Sequence, residues 1–437
     1  MSSSNPLTYR VSPGGKISGH IKVPGDKSIS HRAMMLGAIA EGETTIQGFL
    51  LGEDTLATLR AFQQMDVDIE QTDDLIRIEG VGLNGLKATN KPIDLGNSGT
   101  SVRLMTGLLA GQAFDSILIG DESLMKRPMR RVIDPLTAMG ASITCTDAGT
   151  LPVNIKGGQH LQGIEYTMPV ASAQLKSCLL LAGLYANDPT MVIEKVLTRD
   201  HTERMLSAFM HPVQRDGHRI TINPASQLIG TEINVPADIS SAAFFIVAAS
   251  ICPDSDVILR NVGINPTRHA MLEIMQMMGA NITLENKRIQ SGEPVADIRV
   301  KYSQLTGIAI PESLVPIAID EFPAVFVAAA CAKGETQLTG AAELRVKESD
   351  RLKAMEDGLT ALGIDANAIE DGMIIQGGKF NGGEVNSLGD HRIAMAFAVA
   401  GMVASAPVTI LDCANVATSF PGFINIAKRA GMNITDE

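Results

Sequence analysis

The sequence contains no tryptophan, and Phe, Trp and Tyr together make up only 4% of its 437 residues. Proteins that bind single-stranded nucleic acid stack bases on aromatic side chains, so this scarcity argues against that class. Hydrophobic residues nevertheless reach 45% of the chain and charged residues 19%, a composition typical of a folded globular protein. The core must therefore be aliphatic, with 21 methionines available to fill it.

The chain also lacks an excess of positive charge, because 48 acidic residues outnumber 36 lysines and arginines. The formal net charge of −12 argues against a large surface for nucleic acid or anionic membranes. A net-acidic protein can still bind anions wherever a few cations converge. We therefore expect small anions as ligands, with neither nucleic acid nor a membrane as a partner.

Cysteine is scarce and scattered, without a C-x-x-C pair: the five are Cys145, Cys178, Cys252, Cys331 and Cys413. Their apolar neighbours predict buried free thiols rather than disulfides. The eight histidines show no metal-ligand spacing, so we predict no metal site. The N-terminal residues show no basic flank followed by an apolar stretch, which predicts a cytoplasmic protein without a signal peptide.

Only one segment, residues 393–411, is apolar enough to be considered as a membrane span. It is interrupted by glycine, serine, proline and threonine. We predict instead a buried helix that ends near Ala404, followed by a strand at residues 408–411.

The most informative pattern is an internal repeat that occurs six times. Each copy opens with a polar residue and continues as an Ala- and Leu-rich helix, a short strand, an amphipathic helix, a glycine and a β-branched strand. The openings lie roughly 65 to 80 residues apart, at Asp26, Asn97, Ser172, Asp238, Asp320 and Asp390. A chain of this length favours two domains, and six copies divide naturally as three plus three. We predict a first domain at residues 24–237 and a second formed by residues 1–23 plus 238–437.

The first helix of each copy is apolar nearly all round, as in AMMLGAIA and LLLAGLYA, which indicates a buried helix. The predicted fold class is therefore α/β, with two inside-out, barrel-like domains that have helices inside and sheets outside. A buried helix that emerges only at its N-terminus presents free backbone N–H groups and a partial positive charge, which favour anions. We expect the active site in the cleft between the two domains.

Polar side chains collect at the predicted helix starts, where hydroxyl, amide and cationic groups suit phosphate and carboxylate binding. These residues are Lys27, Ser28, Arg32, Asn97, Ser98, Arg103, Arg127, Ser172, Gln174, Lys176, Arg199, Lys347, Arg351, His391 and Arg392. Lys27, Arg127 and Arg392 flank long apolar runs, where a charge is costly unless an anion compensates it. Asp320 and Glu348 are carboxylates among these cations and suit proton transfer.

Four of the charged residues have a structural interpretation to weigh. Arg103 and Lys176 are either anion ligands or structural partners of nearby carboxylates, and the sequence leaves both possibilities open. Asp26 and Asp390 we interpret as helix N-caps.

Eight motifs, in order along essentially the whole chain, resemble the signatures of the 5-enolpyruvylshikimate-3-phosphate synthase family. They are PGDKSISHRA, LGNSGTSVRL, MKRPM, ASAQLKS, TRDHTE, RVKESDR, GDHRIAMA and ATSFP. The resemblance implies three βαβαββ units in each domain. It also implies transfer of the enolpyruvyl group of phosphoenolpyruvate to the 5-hydroxyl of shikimate 3-phosphate, on the route to chorismate and the aromatic amino acids. No metal or organic cofactor is implied, and we expect a monomer.

Carried over motif by motif, the resemblance assigns residues to each substrate. For shikimate 3-phosphate it implies Lys27, Ser28, Arg32, Ser172, Ala173, Gln174, Arg199, Asp320 and Lys347. For phosphoenolpyruvate it implies Lys27, Asn97, Gly99, Arg127, Gln174, Arg351 and Arg392. Asp320 would be the base on the 5-hydroxyl, and Glu348 and Lys27 the candidates for moving the proton at the enol methylene. Gly99 would leave room for phosphoenolpyruvate analogues, which implies inhibition by glyphosate.

The chain departs from some family members at two positions, with Thr418 in place of a Lys and His201 in place of a Tyr. These departures leave the acid on the phosphate side unassigned. The nearest alternative is the sister enzyme that transfers enolpyruvyl to UDP-N-acetylglucosamine, which carries Asn after the first-motif Lys and a catalytic Cys in a loop of the second copy. Here Ser28 follows Lys27 and the loop GDESLMKRPM contains no Cys, so we favour the shikimate enzyme. A protein that only binds anions would leave the carboxylates among the cations unexplained.

Overall fold

The computed structural model describes residues 7–437, so the first six residues of the predicted second domain lie outside the described part. Helices and strands alternate along the chain, which confirms the mixed α/β class. The α-helices of the described residues are α1 (Lys27–Ala38), α2 (Glu53–Gln64), α3 (Gly99–Ala110), α4 (Arg130–Ala138), α5 (Ala173–Gly183), α6 (His201–Ala208), α7 (Ile239–Ile251), α8 (Ala270–Met277), α9 (Val315–Ala318), α10 (Phe322–Cys331), α11 (Arg351–Ala361), α12 (His391–Val403) and α13 (Phe423–Ala430). Short 3-10 helices lie at Leu124–Lys126, Glu312–Leu314, Ala342–Val346 and Ala414–Thr418.

The strands are short, and most have one buried face. They are β1 (Tyr9–Val11), β2 (Ser18–Ile21), β3 (Glu41–Gln47), β4 (Asp68–Thr72), β5 (Leu75–Val81), β6 (Ile93–Asp94), β7 (Ser116–Ile119), β8 (Ser142–Thr144), β9 (Val153–Lys156), β10 (Glu165–Thr167), β11 (Thr190–Ile193), β12 (Gln214–Asp216), β13 (Arg219–Ile222), β14 (Glu232–Asn234), β15 (Asp256–Gly263), β16 (Asn281–Gln290), β17 (Glu293–Lys301), β18 (Glu335–Leu338), β19 (Ala366–Ile369), β20 (Gly372–Gln376), β21 (Gly383–Asn386), β22 (Val408–Leu411) and β23 (Ile434–Asp436).

The chain forms two compact units, each with its own hydrophobic core. The N-unit comprises Gly25–Val235 and Ile289–Glu293, and the C-unit comprises the described residues up to Pro24, Pro236–Arg288 and Pro294–Glu437. The short segment Ile289–Glu293 thus belongs to the N-unit, whereas the sequence-based division assigned it to the second domain.

Hydrogen bonds account for this difference. The Asn234 backbone N–H donates to Ser291 Oγ at 2.9 Å, and Gln290 Nε2 donates to the Asn234 carbonyl at 3.1 Å. Contacts of this kind join residues far apart in the sequence, so a division based on repeats alone does not reveal them.

The three sheets of the N-unit share one topology, with strand orders β14-β3-β5-β4, β6-β7-β9-β8 and β10-β11-β13-β12. In each sheet the first two strands are parallel and the remaining neighbours antiparallel. A parallel pair needs a crossover connection, and α3 and α5 provide it in two of these sheets.

The sheets of the C-unit follow related orders, β16-β17-β15-β2, β18-β20-β19 and β21-β22-β1-β23. Strand β2 is parallel to β15 and β21 is parallel to β22, with α12 as the crossover between the latter two. In the three-stranded sheet, an isolated parallel bridge joins Ala309 to Gln337 on β18. The repeating pattern of the sequence thus corresponds to a repeating sheet topology.

The helices that open the repeats are the most buried elements of each unit. In α7 all 13 residues are buried, and α7, α10 and α12 pack against one another. In the N-unit, α3 packs closely against α5, and a Cβ added to Gly107 on α3 would lie 2.2 Å from the Cys178 carbonyl oxygen on α5. Glycine is therefore required for this close approach of two backbones.

Side chains at several of the predicted openings cap these helices, although at α3 the cap is Ser98 and not Asn97. Asp26 accepts a hydrogen bond from the Ile29 backbone N–H, and Asp390 accepts one from Arg392, which confirms the N-cap interpretation of both residues. Ser172 caps α5 in the same way. At α10 the pattern differs, because Glu321 occupies the cap position without a side-chain capping bond.

The apolar segment at residues 393–411 contains most of α12 and strand β22, as predicted. No helix among residues 7–437 is long and apolar enough to cross a membrane.

All five thiols are free, but Cys145 and Cys331 are only partly buried, so the expectation of burial was wrong for these two. Burial raises the pKa of the Cys252 thiol to about 12.

Replacing Gly107 by Ala tests the close packing of α3 on α5. We expect a loss of about 1–3 kcal/mol in the free energy of unfolding, because the added methyl group meets backbone that can move only with α5. Gly37→Ala on α1 is the matched control, since its Cβ would meet side-chain atoms of Ile78 and Thr44 at 3.0–3.1 Å and the substitution gains about 1 kcal/mol of helix propensity. Calorimetric melting should rank Gly107→Ala clearly below Gly37→Ala, and equal melting temperatures would contradict this packing account.

Candidate active site

Lys27 lies in the first turn of α1, directly after the capping Asp26. Its Nζ is 3.0 Å from Asp54 Oδ2, and Asp54 lies in the first turn of α2. Both side chains are largely buried, so the ammonium group is oriented before any ligand binds. Asp54 was not predicted as a site residue from the sequence, although it stands at the start of the second helix of the first repeat.

Arg32, one turn further along α1, is almost completely buried. Its Nε donates to Thr202 Oγ1 at 2.7 Å and one terminal nitrogen donates to Ser177 Oγ at 2.7 Å. A third bond joins it to the Ser28 carbonyl at 2.9 Å. Arg32 therefore links the starts of α1, α5 and α6 through uncharged acceptors. Neither hydroxyl partner was predicted, because both lie more than 140 positions away in the sequence.

His31 is the centre of a buried hydroxyl network between α1, α2 and α3. Its Nδ1 lies 2.9 Å from Thr58 Oγ1 and 3.2 Å from Ser101 Oγ, and these two hydroxyls are 2.6 Å apart. Burial, together with the positive charges of Lys27 and Arg32, lowers the pKa of His31 well below its usual value. The imidazole is therefore neutral at neutral pH and holds three helix starts together without adding a charge.

Asn97 and Arg127 form a pair at the start of α3, where Arg127 donates to Asn97 Oδ1 at 2.6 Å. Asn97 Nδ2 donates in turn to Asp121 Oδ2 at 2.7 Å. A Cβ on Gly99 would lie 3.0 Å from an Arg127 terminal nitrogen and 3.1 Å from one of Arg103. Two guanidinium groups therefore flank the start of α3, beside a residue that has no side chain.

Arg103 and Gln174 connect α3 to α5. Arg103 donates to Gln174 Oε1 at 2.7 Å and Gln174 Nε2 donates to Thr100 Oγ1 at 3.2 Å. One partner of Arg103 is thus the side-chain amide of Gln174. Arg103 orients a predicted substrate residue.

Ser172, Ala173 and Gln174 occupy the cap and first turn of α5, with Ser172 Oγ accepting from the Leu175 N–H at 3.3 Å. Arg199 lies partly exposed in the loop between β11 and α6. Lys176, for which the sequence left two possibilities open, is fully buried and pairs with Glu194 and Glu203. It is therefore a structural partner of carboxylates.

Arg351 is the centre of the C-unit site and is almost inaccessible to solvent. Its guanidinium group contacts three carboxylates, at 2.8 Å from Asp390 Oδ2, 2.6 Å from Glu348 Oε2 and 3.6 Å from Asp320 Oδ1. Burial alone would lower the pKa of Arg351, but these carboxylates raise it above its usual value. The pKa of Asp390 stays below its usual range because Arg351 outweighs the effects of burial and Glu348.

Asp320 is surrounded by cations at the start of α10. Lys347 Nζ lies 3.3 Å from its Oδ1, and Arg392 donates to its backbone carbonyl at 2.9 Å. Arg392 also lies 3.8 Å from Glu321 Oε1. The Asp320 carboxylate thus faces one ammonium and one guanidinium group, those of Lys347 and Arg351, while the Arg392 guanidinium group binds the Asp320 backbone carbonyl.

The predicted site residues fall into two sets, one in each unit. The N-unit contains Lys27, Ser28, Arg32, Asn97, Gly99, Arg127, Ser172, Ala173, Gln174 and Arg199. The C-unit contains Asp320, Lys347, Glu348, Arg351 and Arg392. The second role of Asp390 as the partner of Arg351 was missed, because the capping interpretation already explained an aspartate there.

The two departures from the family pattern have defined surroundings. His201 is buried, with Nδ1 2.7 Å from Glu293 Oε1. Thr418 Oγ1 donates to the Asn415 carbonyl at 2.6 Å at the end of a 3-10 helix. Both side chains are therefore engaged in local contacts within the protein.

Buried helices with free N–H groups at their starts, flanked by guanidinium and ammonium groups, define an α/β protein equipped to bind small anions. The carboxylates held among these cations add groups for proton transfer. This combination is typical of an enzyme that acts on phosphorylated substrates.

Comparison with known proteins identifies the family. A family model described as EPSP synthase (3-phosphoshikimate 1-carboxyvinyltransferase) matches residues 11–426, and the chain belongs to this family. It is 61% identical over 429 residues to the 3-phosphoshikimate 1-carboxyvinyltransferase of Methylococcus capsulatus, covering 98% of each chain. It is 60% identical over 433 residues to the enzyme of the same name from Nitrosococcus oceani, covering 99% of this chain and 98% of the relative. A solved structure of EPSP synthase from Acinetobacter baumannii superimposes with a TM-score of 0.90 at 54% identity, covering 99% of this chain and all of that one.

The low pKa of His31 predicts a pH dependence of stability. The unfolded chain takes up a proton at this residue below about pH 6.5, whereas the folded chain does not, so stability is lost as the pH falls below that value. The loss amounts to at most about 1.4 kcal/mol per pH unit. Melting temperatures from pH 7.5 to 5 should therefore fall less steeply for His31→Gln than for the wild type.

Substitution of the exposed His218 by Gln is the matched control and should keep the wild-type slope. A His31→Gln slope as steep as that of the wild type would show that another group causes the pH dependence.

Proposed function

We propose that this protein transfers the enolpyruvyl group of phosphoenolpyruvate to the 5-hydroxyl of shikimate 3-phosphate, yielding 5-enolpyruvylshikimate 3-phosphate and inorganic phosphate. Membership of the EPSP synthase family supports the reaction. The observation that carries the proposal is the position of Asp320, whose carboxylate lies within 3.6 Å of both Lys347 Nζ and an Arg351 nitrogen.

Asp320 is the proposed general base. A carboxylate can accept a proton, and the adjacent cations hold this one in a single orientation. It takes the proton of the 5-hydroxyl as the oxygen bonds to C2 of phosphoenolpyruvate. Lys347, beside Asp320, is proposed to hold the ring of shikimate 3-phosphate.

The enol methylene carbon, C3, must gain a proton in the same stage. Glu348 and Lys27 are the candidates, each held by an oppositely charged partner, Arg351 at 2.6 Å and Asp54 at 3.0 Å. Protonation at C3 develops positive charge at C2, which a nearby carboxylate stabilises. The resulting tetrahedral adduct then loses phosphate as the C–O bond breaks and one C3 proton leaves, which restores the vinyl group. The methylene proton gained in the first stage thus balances the one lost in the second.

Cations are proposed to hold the phosphate and carboxylate of phosphoenolpyruvate. Arg127 and Gly99 at the start of α3 would approach it from the N-unit together with Asn97, Gln174 and Lys27. Arg351 and Arg392 would contribute from the C-unit. Guanidinium groups suit this role because their planar donors match two anion oxygens at once.

Shikimate 3-phosphate is proposed to bind at the starts of α1 and α5. Lys27, Ser28 and Arg32 on α1, with Ser172, Ala173, Gln174 and Arg199, would provide N–H, hydroxyl and cationic donors, while Asp320 and Lys347 would face the 5-hydroxyl. Both units thus contribute residues to the reaction. The proposed chemistry consists of proton transfers and electrostatic stabilisation, for which these side chains suffice.

The finer architecture is part of the same proposal. We propose that each unit is an inside-out, barrel-like domain of three βαβαββ repeats, which the buried helices and the shared sheet orders support. We also propose a cytoplasmic monomer, and sedimentation analysis can test its oligomeric state.

Transfer to UDP-N-acetylglucosamine is not favoured, since the family match and the named relatives agree on the shikimate enzyme.

Phosphate release with phosphoenolpyruvate and either acceptor tests the reaction directly. We expect release with shikimate 3-phosphate and none with UDP-N-acetylglucosamine. Asp320→Asn should lower kcat by about 100-fold or more, the usual effect of losing a general base. Asp357→Asn on the exposed face of α11 is the control and should leave kcat unchanged. Wild-type kcat in Asp320→Asn would exclude Asp320 as the base, and no release from folded wild-type protein would refute the reaction.

Gly99→Ala tests the proposed phosphoenolpyruvate site. The added methyl group would press on the Arg127 and Arg103 guanidinium groups at 3.0 and 3.1 Å and reduce the space beside them. We expect inhibition by glyphosate to weaken at least about tenfold, equivalent to 1.4 kcal/mol. Gly263→Ala, whose Cβ would make only ordinary contacts, is the control. Equal inhibition of the wild type and Gly99→Ala would contradict the assignment.

A further inference from the structure

A cluster of four charged side chains in the N-unit, three of them buried and one partly exposed, has no part in the proposed chemistry. This quartet consists of Lys176 on α5, Glu194 directly after β11, Glu203 on α6 and Arg215 on β12. Lys176 Nζ lies 3.1 Å from Glu194 Oε2 and 2.7 Å from Glu203 Oε1. One Arg215 nitrogen lies 3.0 Å from Glu194 Oε1 and 3.2 Å from Glu203 Oε1, so two cations and two anions balance.

The quartet is a costly way to stabilise a fold. The side chains of Lys176 and Glu194 have no exposed surface, and each buried ion loses several kcal/mol of hydration. Aliphatic side chains of the same volume are often as stable or more stable at such positions. Stability alone therefore does not account for the quartet. Its role must be sought in the residues that its geometry holds in place.

That geometry fixes one residue of the loop between β11 and α6. Glu194 Oε2 accepts hydrogen bonds from both the backbone N–H of Thr198 at 3.1 Å and its hydroxyl at 2.8 Å. Lys176 Nζ donates to the Thr198 carbonyl at 3.2 Å. All three polar groups of Thr198 are thus held by the quartet, and the next residue along the chain is Arg199.

Through Lys176, the quartet connects Thr198 to the first turn of α5. Lys176 follows Ser172 by four positions and therefore lies one helical turn above it, close to Ala173 and Gln174. The bond from Lys176 to Thr198 consequently ties the backbone next to Arg199 to the turn that contains these three residues. The Arg204–Asp200 ion pair, at 2.9 Å, orders the residues that follow.

We propose that Lys176 is a positioning residue for substrate binding. Through the quartet it fixes Arg199 relative to the start of α5 and thereby sets the affinity for the phosphorylated substrate. This inference rests on the proposed function, which assigns Arg199, Ser172, Ala173 and Gln174 to shikimate 3-phosphate. Lys176 itself touches no substrate.

Lys176→Met tests the proposal, because it keeps the length of the side chain but removes the bond to Thr198 and the charge between the two glutamates. The KM for shikimate 3-phosphate should rise about tenfold, while kcat and the KM for phosphoenolpyruvate change less than about threefold. Lys156→Met, at an exposed position on β9, is the control and should match the wild type. Equal changes in both KM values and in kcat would indicate general disruption and overturn the proposal.

A double-mutant cycle with Arg199→Gln distinguishes positioning from a separate structural effect. If Lys176 acts through Arg199, adding Lys176→Met to Arg199→Gln should raise the KM for shikimate 3-phosphate less than about twofold further. A further tenfold increase would show that Lys176 acts independently and would refute the proposal. An unchanged KM for shikimate 3-phosphate in Arg199→Gln alone would refute both this inference and the assignment of Arg199. Absence of turnover in the wild type would instead refute the proposed function.

Arg215→Gln covers the case in which Lys176→Met fails to fold. Arg215 is about one-third exposed, so its loss leaves no buried site empty, yet it removes half of the positive charge that faces Glu194 and Glu203. We expect a KM increase of about threefold that is selective for shikimate 3-phosphate and disappears in the Arg199→Gln background. Wild-type KM values in Arg215→Gln would contradict a role for the quartet.

Discussion

The site depends on one constraint, that helices buried on every side can meet solvent and ligand only at their N-termini. The backbone N–H groups of that first turn have no partners within the helix, and they carry the positive end of the helix dipole. In this protein the first residues of α1, α3, α5 and α12 combine such a turn with lysine, arginine, serine or glutamine side chains. The fold therefore supplies a preference for anions before any individual side chain is considered.

The same arrangement requires cations to be held close together without a ligand, and carboxylates make this possible. Arg351 is almost fully buried, yet it is compensated by Asp390 and Glu348, and Asp320 faces Lys347. Asp390 serves twice, because one carboxylate caps α12 and holds Arg351. Protein anions thus order these cations within the fold.

Features with a local or periodic signature could be predicted from the sequence, whereas those that depend on distant partners could not. The capping aspartates Asp26 and Asp390 could be predicted because a cap and its helix are adjacent in sequence. The bond from Arg32 to Thr202 joins residues 170 positions apart, and no spacing rule indicates it. Lys176 remained ambiguous for the same reason, since Glu194 and Glu203 approach it only after β11 and α6 have packed beside α5. Ile289–Glu293 shows the limit of a repeat-based division, because a few hydrogen bonds decide where a short segment belongs.

The central claim, that the helix starts and their cations bind the substrates, is tested most directly by a crystal structure with shikimate 3-phosphate and glyphosate bound. The account predicts the shikimate phosphate within hydrogen-bonding distance of Ser172 and Arg199, and the glyphosate anion against Arg127 and Arg392. Ligand density away from the starts of α1, α3 and α5, or contacts that omit Arg199, would contradict it.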